Sequence, residues 1–154
     1  MRVEDIDTVL ELFEAVAAER RYIGTEPGFD RAVYRARLAA RVDDRQRPSF
    51  VARIDGRLIG HLSISQHHEF GPTLGMMVAA EYRGRGVGRA LLQQACAWAT
   101  AAGYPLSLLV FPHNHAARGL YRSMGFLEVE RFERDAVRAN GEVWDTILMR
   151  KTFS

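Results

Sequence analysis

Apolar residues recur along this chain in two rhythms, and the switches between them mark its elements. From Asp5 to Arg20, Ile6, Val9, Leu10, Phe13, Val16 and Ala17 fall at three- and four-residue steps, one face of a helix. The stretch 22–30, YIGTEPGFD, reads as a loop, and Asp30 can cap a second helix carrying Val33, Tyr34, Arg37, Leu38 and Val42. The rhythm then changes to two. Phe50, Ala52 and Ile54 share a face of one strand, and Leu58, Gly60, Leu62 and Ile64 a face of the next, with Asp55-Gly56 as a short hairpin turn. A third strand covers 72–80. A helix with the stripe Val87, Leu91, Ala95, Trp98 and Ala102 ends at Gly103. The apolar run 104–111 predicts a strand buried on both faces. A helix over 114–124 stops at Gly125, and 126–137 and 142–151 alternate as an antiparallel pair around Asn140-Gly141.

This order predicts an α/β chain of the α+β type: a mixed, mainly antiparallel sheet of about six strands flanked by four helices, as a single domain over 1–154. The strand–helix–strand unit from 74 to 111 should be a right-handed crossover that makes its two strands parallel neighbours.

Composition narrows the function classes. A net charge of +2 is too small to argue for nucleic acid, and among 21 basic residues Lys151 is the only lysine. The single cysteine, Cys96, forbids an internal disulfide and lies within a helix stripe, away from nucleophile duty. No apolar run approaches the roughly 18 residues that span a bilayer, and the acidic, amphipathic start is unlike a signal peptide. A cytoplasmic setting fits.

The chemistry concentrates in RGRGVGR, residues 83–89. Glycines at 84, 86 and 88 let a ligand approach the main chain. The first N–H groups of the following helix lack intrahelical partners and carry its positive dipole end. Together they make a socket for a phosphate or pyrophosphate, with Arg83, Arg85 and Arg89 as surrounding donors. A Walker loop would need Gly-Lys-Ser/Thr where Arg89 and Ala90 stand, and the dinucleotide fingerprint would need glycine at Arg89. A Gly-rich turn with a solvated basic rim is the alternative.

Two motifs decide between them. Arg83-x-x-Gly86-x-Gly88, after an apolar strand, resembles the acyl-CoA pyrophosphate loop of the GNAT superfamily of N-acyltransferases. Asn114, Ala117, Tyr121 and Gly125-Phe126 are similar to a second signature of that family, with every spacing kept. Seven residues apart, Asn114 and Tyr121 face the same way on a helix. The resemblance covers nearly the whole chain, although members normally begin with a strand before the first helix and here only about four residues precede it.

The resemblance implies an acetyl-CoA-dependent N-acetyltransferase in which an amine attacks the thioester directly within a ternary complex. It implies that Gly84, Arg85, Gly86, Val87, Gly88 and Arg89, with Arg83, hold the cofactor diphosphate, and that Asn114 holds pantetheine. Tyr121 would protonate the departing thiolate. The main chain of Met77 and Val78 would contact pantetheine and the acyl carbonyl where the strand splays, with Gly75 as a bulge site. Some members carry a glutamate base where this chain has Leu109. The remaining base candidates are Glu69, His67 and His68, or a water chain. Tyr22, Thr25 and Glu26 are candidates to line the acceptor pocket. No metal site is expected, since His67 and His68 lack a third ligand. The expected partner is a small-molecule or peptide amine rather than nucleic acid or a membrane, and the family often forms homodimers. A non-catalytic acyl-CoA-binding or sensing module is the alternative.

Overall fold

The computed structural model describes residues 1–153. Its helices are α1 (Ile6–Ala18), α2 (Arg31–Ala39), α3 (Val87–Ala102) and α4 (His115–Ser123). Its strands are β1 (Ser49–Ile54), β2 (Arg57–His67), β3 (Gly71–Val78), β4 (Leu106–Val110), β5 (Leu127–Val137) and β6 (Val143–Lys151). Short 3-10 turns at Val3–Asp5 and Ala80–Tyr82 lead into α1 and toward α3. Among the described residues no strand precedes α1, which settles a point the sequence left open. The Met1 amino group instead donates to the Ser49 carbonyl at 3.1 Å, fastening the tail to the start of β1.

The six strands form one sheet in the order β1-β2-β3-β4-β6-β5, antiparallel throughout except between β3 and β4. This is the expected fold class, and the strands joined through α3 are the parallel pair. The turn signals act as read. Asp55 and Gly56 both take positive φ (51° and 79°), which two-residue hairpins with the correct twist require. Asp30 caps α2 by accepting from the Val33 N–H at 3.1 Å, and Gly103 ends α3 in the left-handed region.

The sheet has a core on each face. On one side α3 and α4 cover Leu62, Ile64, Leu74, Leu108, Val110 and Ile147. There α3 lies so close to β2 that a Cβ on Gly60 would sit 3.1 Å from Leu91 Cδ1. The buried stripe of α3 runs Val87, Leu91, Leu92, Ala95 and Ala99, turned slightly from the predicted one. On the other side α1 and α2 cover Leu58 and Met77. This second layer stops short of β4, so Leu109 is 41% exposed. The expectation that β4 is buried on both faces therefore fails at Leu109.

Candidate active site

The sheet opens where β3 and β4 part. Their pairing is confined to Thr73↔Ser107 and Leu74↔Leu108, whereas β3 stays paired to β2 as far as Val78 and β4 to β6 as far as Val110. Beyond Leu74 the two strands diverge into a slot. Gly75 stays in unbroken register with Ser63, so no bulge in the β2–β3 ladder is needed to start it.

Successive peptide groups of a strand face opposite edges. The Ala79 N–H donates to the Ile59 carbonyl at 2.8 Å, on the β2 side. Two residues back, Met77 faces β2 as well, and the peptide groups of Met76 and Val78 face the slot. This corrects the expectation for Met77, whose side chain packs instead in the core beneath α1. The Val78 carbonyl accepts from Arg83 Nε at 3.0 Å, which leaves its N–H as the donor on that edge.

A cavity of about 820 Å³ fills the slot. One wall is the segment between β3 and α3. Gly84 and Gly86 adopt φ of +74° and +85°, conformations a side chain strains, and a Cβ on either would point into open space. The six consecutive N–H groups from Gly84 to Arg89 have no hydrogen-bond acceptor among the described residues. Val87 is buried beneath this turn, and Gly88 lets the first turn of α3 pack against Leu120 and Met76, at 3.1 and 3.2 Å from where its Cβ would stand. A row of unanswered donors at a helix start fits a diphosphate.

The arginines are disposed differently from the expectation. The Arg83 guanidinium is bound bidentately by Glu19, at 2.7 and 2.6 Å, and lies over the Tyr22 ring at 4.8 Å. That pairing raises its already high pKa. Arg83 thus braces the end of α1 and the following loop against β3 rather than offering a free guanidinium. Arg85 lies over Tyr82, outside the cavity wall. Arg89 lines the cavity, with one nitrogen donating to Ser123 Oγ at 2.9 Å.

The opposite wall is α4. Asn114 caps it, its Oδ1 accepting from the Ala117 N–H at 3.3 Å, so the amide nitrogen remains for a ligand. Tyr121, one face along, is 6% exposed and packs edge-on to Phe126. Its hydroxyl makes no hydrogen bond among the described residues, and burial pushes its pKa up to about 12. The phenol therefore keeps its proton across the physiological range.

The loop after α1 forms a rim over the slot because it is tied on several sides. The buried Arg138 donates to the Ile23 and Gly24 carbonyls at 3.3 Å, and His113 contacts the Arg21 carbonyl at 2.7 Å. Tyr22 and Thr25 line the cavity as expected. Glu26 does not. Its carboxylate accepts from the Ala139 N–H at 3.0 and 3.2 Å and faces Arg138, so it anchors the rim to the β5–β6 turn.

Glu69, His67 and His68 are likewise absent from the cavity. They sit at the β2–β3 turn, and the seven residue steps from Gly71 to Val78 span about 23 Å of strand. Glu69 pairs only with its neighbour His68, and His67 Nδ1 accepts the Glu69 and Phe70 N–H groups as a turn cap. In their place the slot holds His61, Ser63 and Thr146. His61 is 2% exposed, its Nε2 has no hydrogen-bond partner among the described residues, and burial, with the N-terminal amine and Arg41 nearby, lowers its pKa to about 4. A polar alternation, His61-x-Ser63-x-Ser65, was the available signal for it.

This chain belongs to the acetyltransferase (GNAT) family, whose model matches residues 9–126. Solved structures of similar shape support the fold. A ribosomal-protein-alanine N-acetyltransferase from Brucella melitensis superposes with a TM-score of 0.89 at 24% identity, over 99% of this chain and 97% of the other. A GNAT-family acetyltransferase from Streptococcus pneumoniae gives 0.86 at 23% identity, over 99% and 96%. A phosphinothricin acetyltransferase from Sinorhizobium meliloti, in complex with acetyl-CoA, gives 0.86 at 20% identity, over 98% and 84%. No helix among the described residues is long and apolar enough to cross a membrane.

Proposed function

We propose that the protein transfers the acetyl group of acetyl-CoA to a primary amine by direct attack in a ternary complex. The observation that carries this reading is the row of unanswered N–H groups from Gly84 to Arg89, opening on the same cavity as Tyr121. Those groups, with Arg89, hold the diphosphate. The Asn114 amide and the slot-facing peptide groups of Met76 and Val78 hold pantetheine and the thioester. The Val78 N–H donates to the carbonyl oxygen as negative charge develops there.

The amine nitrogen attacks the carbonyl carbon; a C–N bond forms and the C–S bond breaks. Tyr121 supplies the proton the sulfur takes. A thiolate leaving into this desolvated slot holds a proton more strongly than in water, for the same reason that the tyrosine does. The amine's surplus proton returns through water to the phenolate, which balances the reaction. Among the described residues no carboxylate lines the cavity, so the acceptor arrives with its amine already neutral or loses its proton to water.

The test is calorimetric titration with acetyl-CoA followed by thiol release over amino acids, polyamines, aminoglycosides and peptide N-termini. Binding with turnover of at least one class is expected. Tight binding with no thiol release above background at any pH from 6 to 9 would instead identify an acyl-CoA-binding module.

A further inference from the structure

The layer between α2 and β2 is polar where packing would favour carbon. Alternation along β2 sends Leu62 and Ile64 into the α3-side core. His61, Ser63 and Ser65 therefore face α1 and α2, with His61 against Phe13 and Ser65 bonded to Arg41. Across from them α2 buries only Leu38. Helix and strand consequently stand apart around a side cavity of about 180 Å³, room for about six waters. Phe13, Thr25, His61 and Ser63 line both this cavity and the slot, so the two adjoin at these side chains.

The side cavity contains an uncompensated cation. Arg41 donates one hydrogen bond to Ser65 Oγ at 2.9 Å but pairs with no carboxylate among the described residues. Asp44, the one acid whose charge reaches it, is engaged by Arg47 at 2.7 Å and offsets Arg41 only in part. Burial and the neighbouring Arg47 and Arg37 charges weaken Arg41's hold on its proton, the sign of a cation short of negative charge. Arg37 also lines the cavity and lies over the Tyr34 ring without a carboxylate partner. Beside them stands the buried, unpartnered Nε2 of His61. The remaining wall is aromatic: Phe13 and Tyr34 line it and Phe29 backs them, the three rings in contact with centroids 4.4–6.3 Å apart.

From this juxtaposition we infer that the acceptor is a small amine bearing a carboxylate, an amino acid with a compact apolar side chain, whose carboxylate seats on Arg41. The inference rests on the acetyl-transfer reading above. The carboxylate supplies the charge Arg41 lacks, which a polyamine or an aminoglycoside, itself a polycation, cannot do. The apolar side chain lies on the aromatic wall, and the amine is left at the mouth shared with the slot. A charge-assisted bond in a desolvated pocket discriminates strongly between a carboxylate and its neutral amide.

The test compares L-alanine, L-valine and L-methionine with their carboxamides and decarboxylated amines, by acetyl-CoA-dependent thiol release. The acids should exceed the amides in kcat/KM by tenfold or more. In Arg41→Gln, which keeps a donor for Ser65, that ratio should fall below threefold, chiefly through a raised KM for the acids. Arg37→Gln, at an exposed position, should lower the ratio in the same direction and serves if Arg41→Gln does not fold. Amides equal to acids in the wild-type protein, or a preference that survives both substitutions, would overturn the assignment. Should no amine release thiol, the transfer reading fails by itself. Calorimetry of L-methionine against methioninamide then decides the pocket: binding of the acid that Arg41→Gln abolishes upholds it, and no binding of the acid overturns it.

Discussion

Tyr121→Phe separates chemistry from structure because the hydroxyl has no structural work to do. The ring is held by its edge-on contact with Phe126, centroids 6.0 Å apart, and phenylalanine keeps that contact. The oxygen hydrogen-bonds to nothing among the described residues, so its removal abandons no partner. Stability should change by less than about 1 kcal/mol, and Tm by less than roughly 4 °C for a protein of this size. Turnover should behave otherwise. Loss of a positioned proton donor typically lowers rate about a hundredfold, roughly 2.7 kcal/mol of barrier. Acetyl-CoA affinity should stay within about threefold, since the binding donors lie on β3 and at the start of α3. The pH profile gives a second reading. With its pKa at about 12, Tyr121 should impose no descending limb on wild-type kcat below pH 10. Steady-state thiol release, thermal unfolding and calorimetry on one preparation check all three. Wild-type kcat in the Phe variant would make Tyr121 a packing residue and refute the mechanism. A Tm loss beyond 4 °C would mean that the hydroxyl has a structural partner after all.

Gly86→Val must force a branched residue to φ +85°, a strain of at least 1–2 kcal/mol, and aims its side chain at the cavity. Acetyl-CoA should bind at least tenfold more weakly by calorimetry with circular dichroism unchanged, and an unaltered Kd would contradict the diphosphate site. His61 is held neutral, its folded pKa of about 4 lying below the unfolded value of about 6.5. The unfolded chain thus binds the extra proton, and stability falls as pH falls. His61→Leu should remove about 1.6 kcal/mol of that loss between pH 6.5 and 5, read as a shallower pH slope in urea unfolding; an identical slope would show that the imidazole is not held neutral by the fold. Glu69→Gln should leave kcat and its pH profile within twofold of wild type, and a flattened profile would mean that the β2–β3 turn reaches the slot.

The parts of this molecule that depend on neighbouring residues were legible in the sequence. Asp55-Gly56, Asp30 and Gly103 act through their own backbone geometry, and the Asn114–Tyr121 spacing needs only a helix. The corrections all involve distant partners. Which edge of β3 a peptide group faces depends on hydrogen-bond phase with β2, and that moved the slot contacts from Met77 to Met76. Arg83 stands beside the glycines in sequence, yet its charge is taken by Glu19 and its Nε by Val78. Glu26 stands in its loop as a candidate for the acceptor pocket or for a turn cap, and folding decides for the cap by bringing Arg138 and Ala139 to it. His61 lies off the apolar phase of β2, but α1 covers that face too, so it is an interior residue. Leu109 is the converse, an apolar residue left uncovered because the same layer ends before β4.

The brief pairing of β3 with β4 also bears on how the molecule assembles and yields. The sheet falls into two groups, the meander β1-β2-β3 and the set β4-β6-β5, joined to each other by two residue pairs and the helix packed across them. The β1-β2-β3 meander and the β5–β6 hairpin can order from contacts near in the chain, whereas the β4–β6 ladder and the seam must await closure of the excursions through α4 and α3, and of these late contacts the seam has the fewest pairs. For the same reason it is the weakest line under stress, and partial opening should begin there rather than at the long β5–β6 ladder. A ligand strung along the slot, bonded to the free edge of β3 and leaning on α4, would act as a stitch between the halves. At a hundred times its Kd such a ligand adds about 2.7 kcal/mol, and the gain should be concentrated in amide protection along Gly75–Val78 and Leu109–Phe111 instead of spread over the whole sheet.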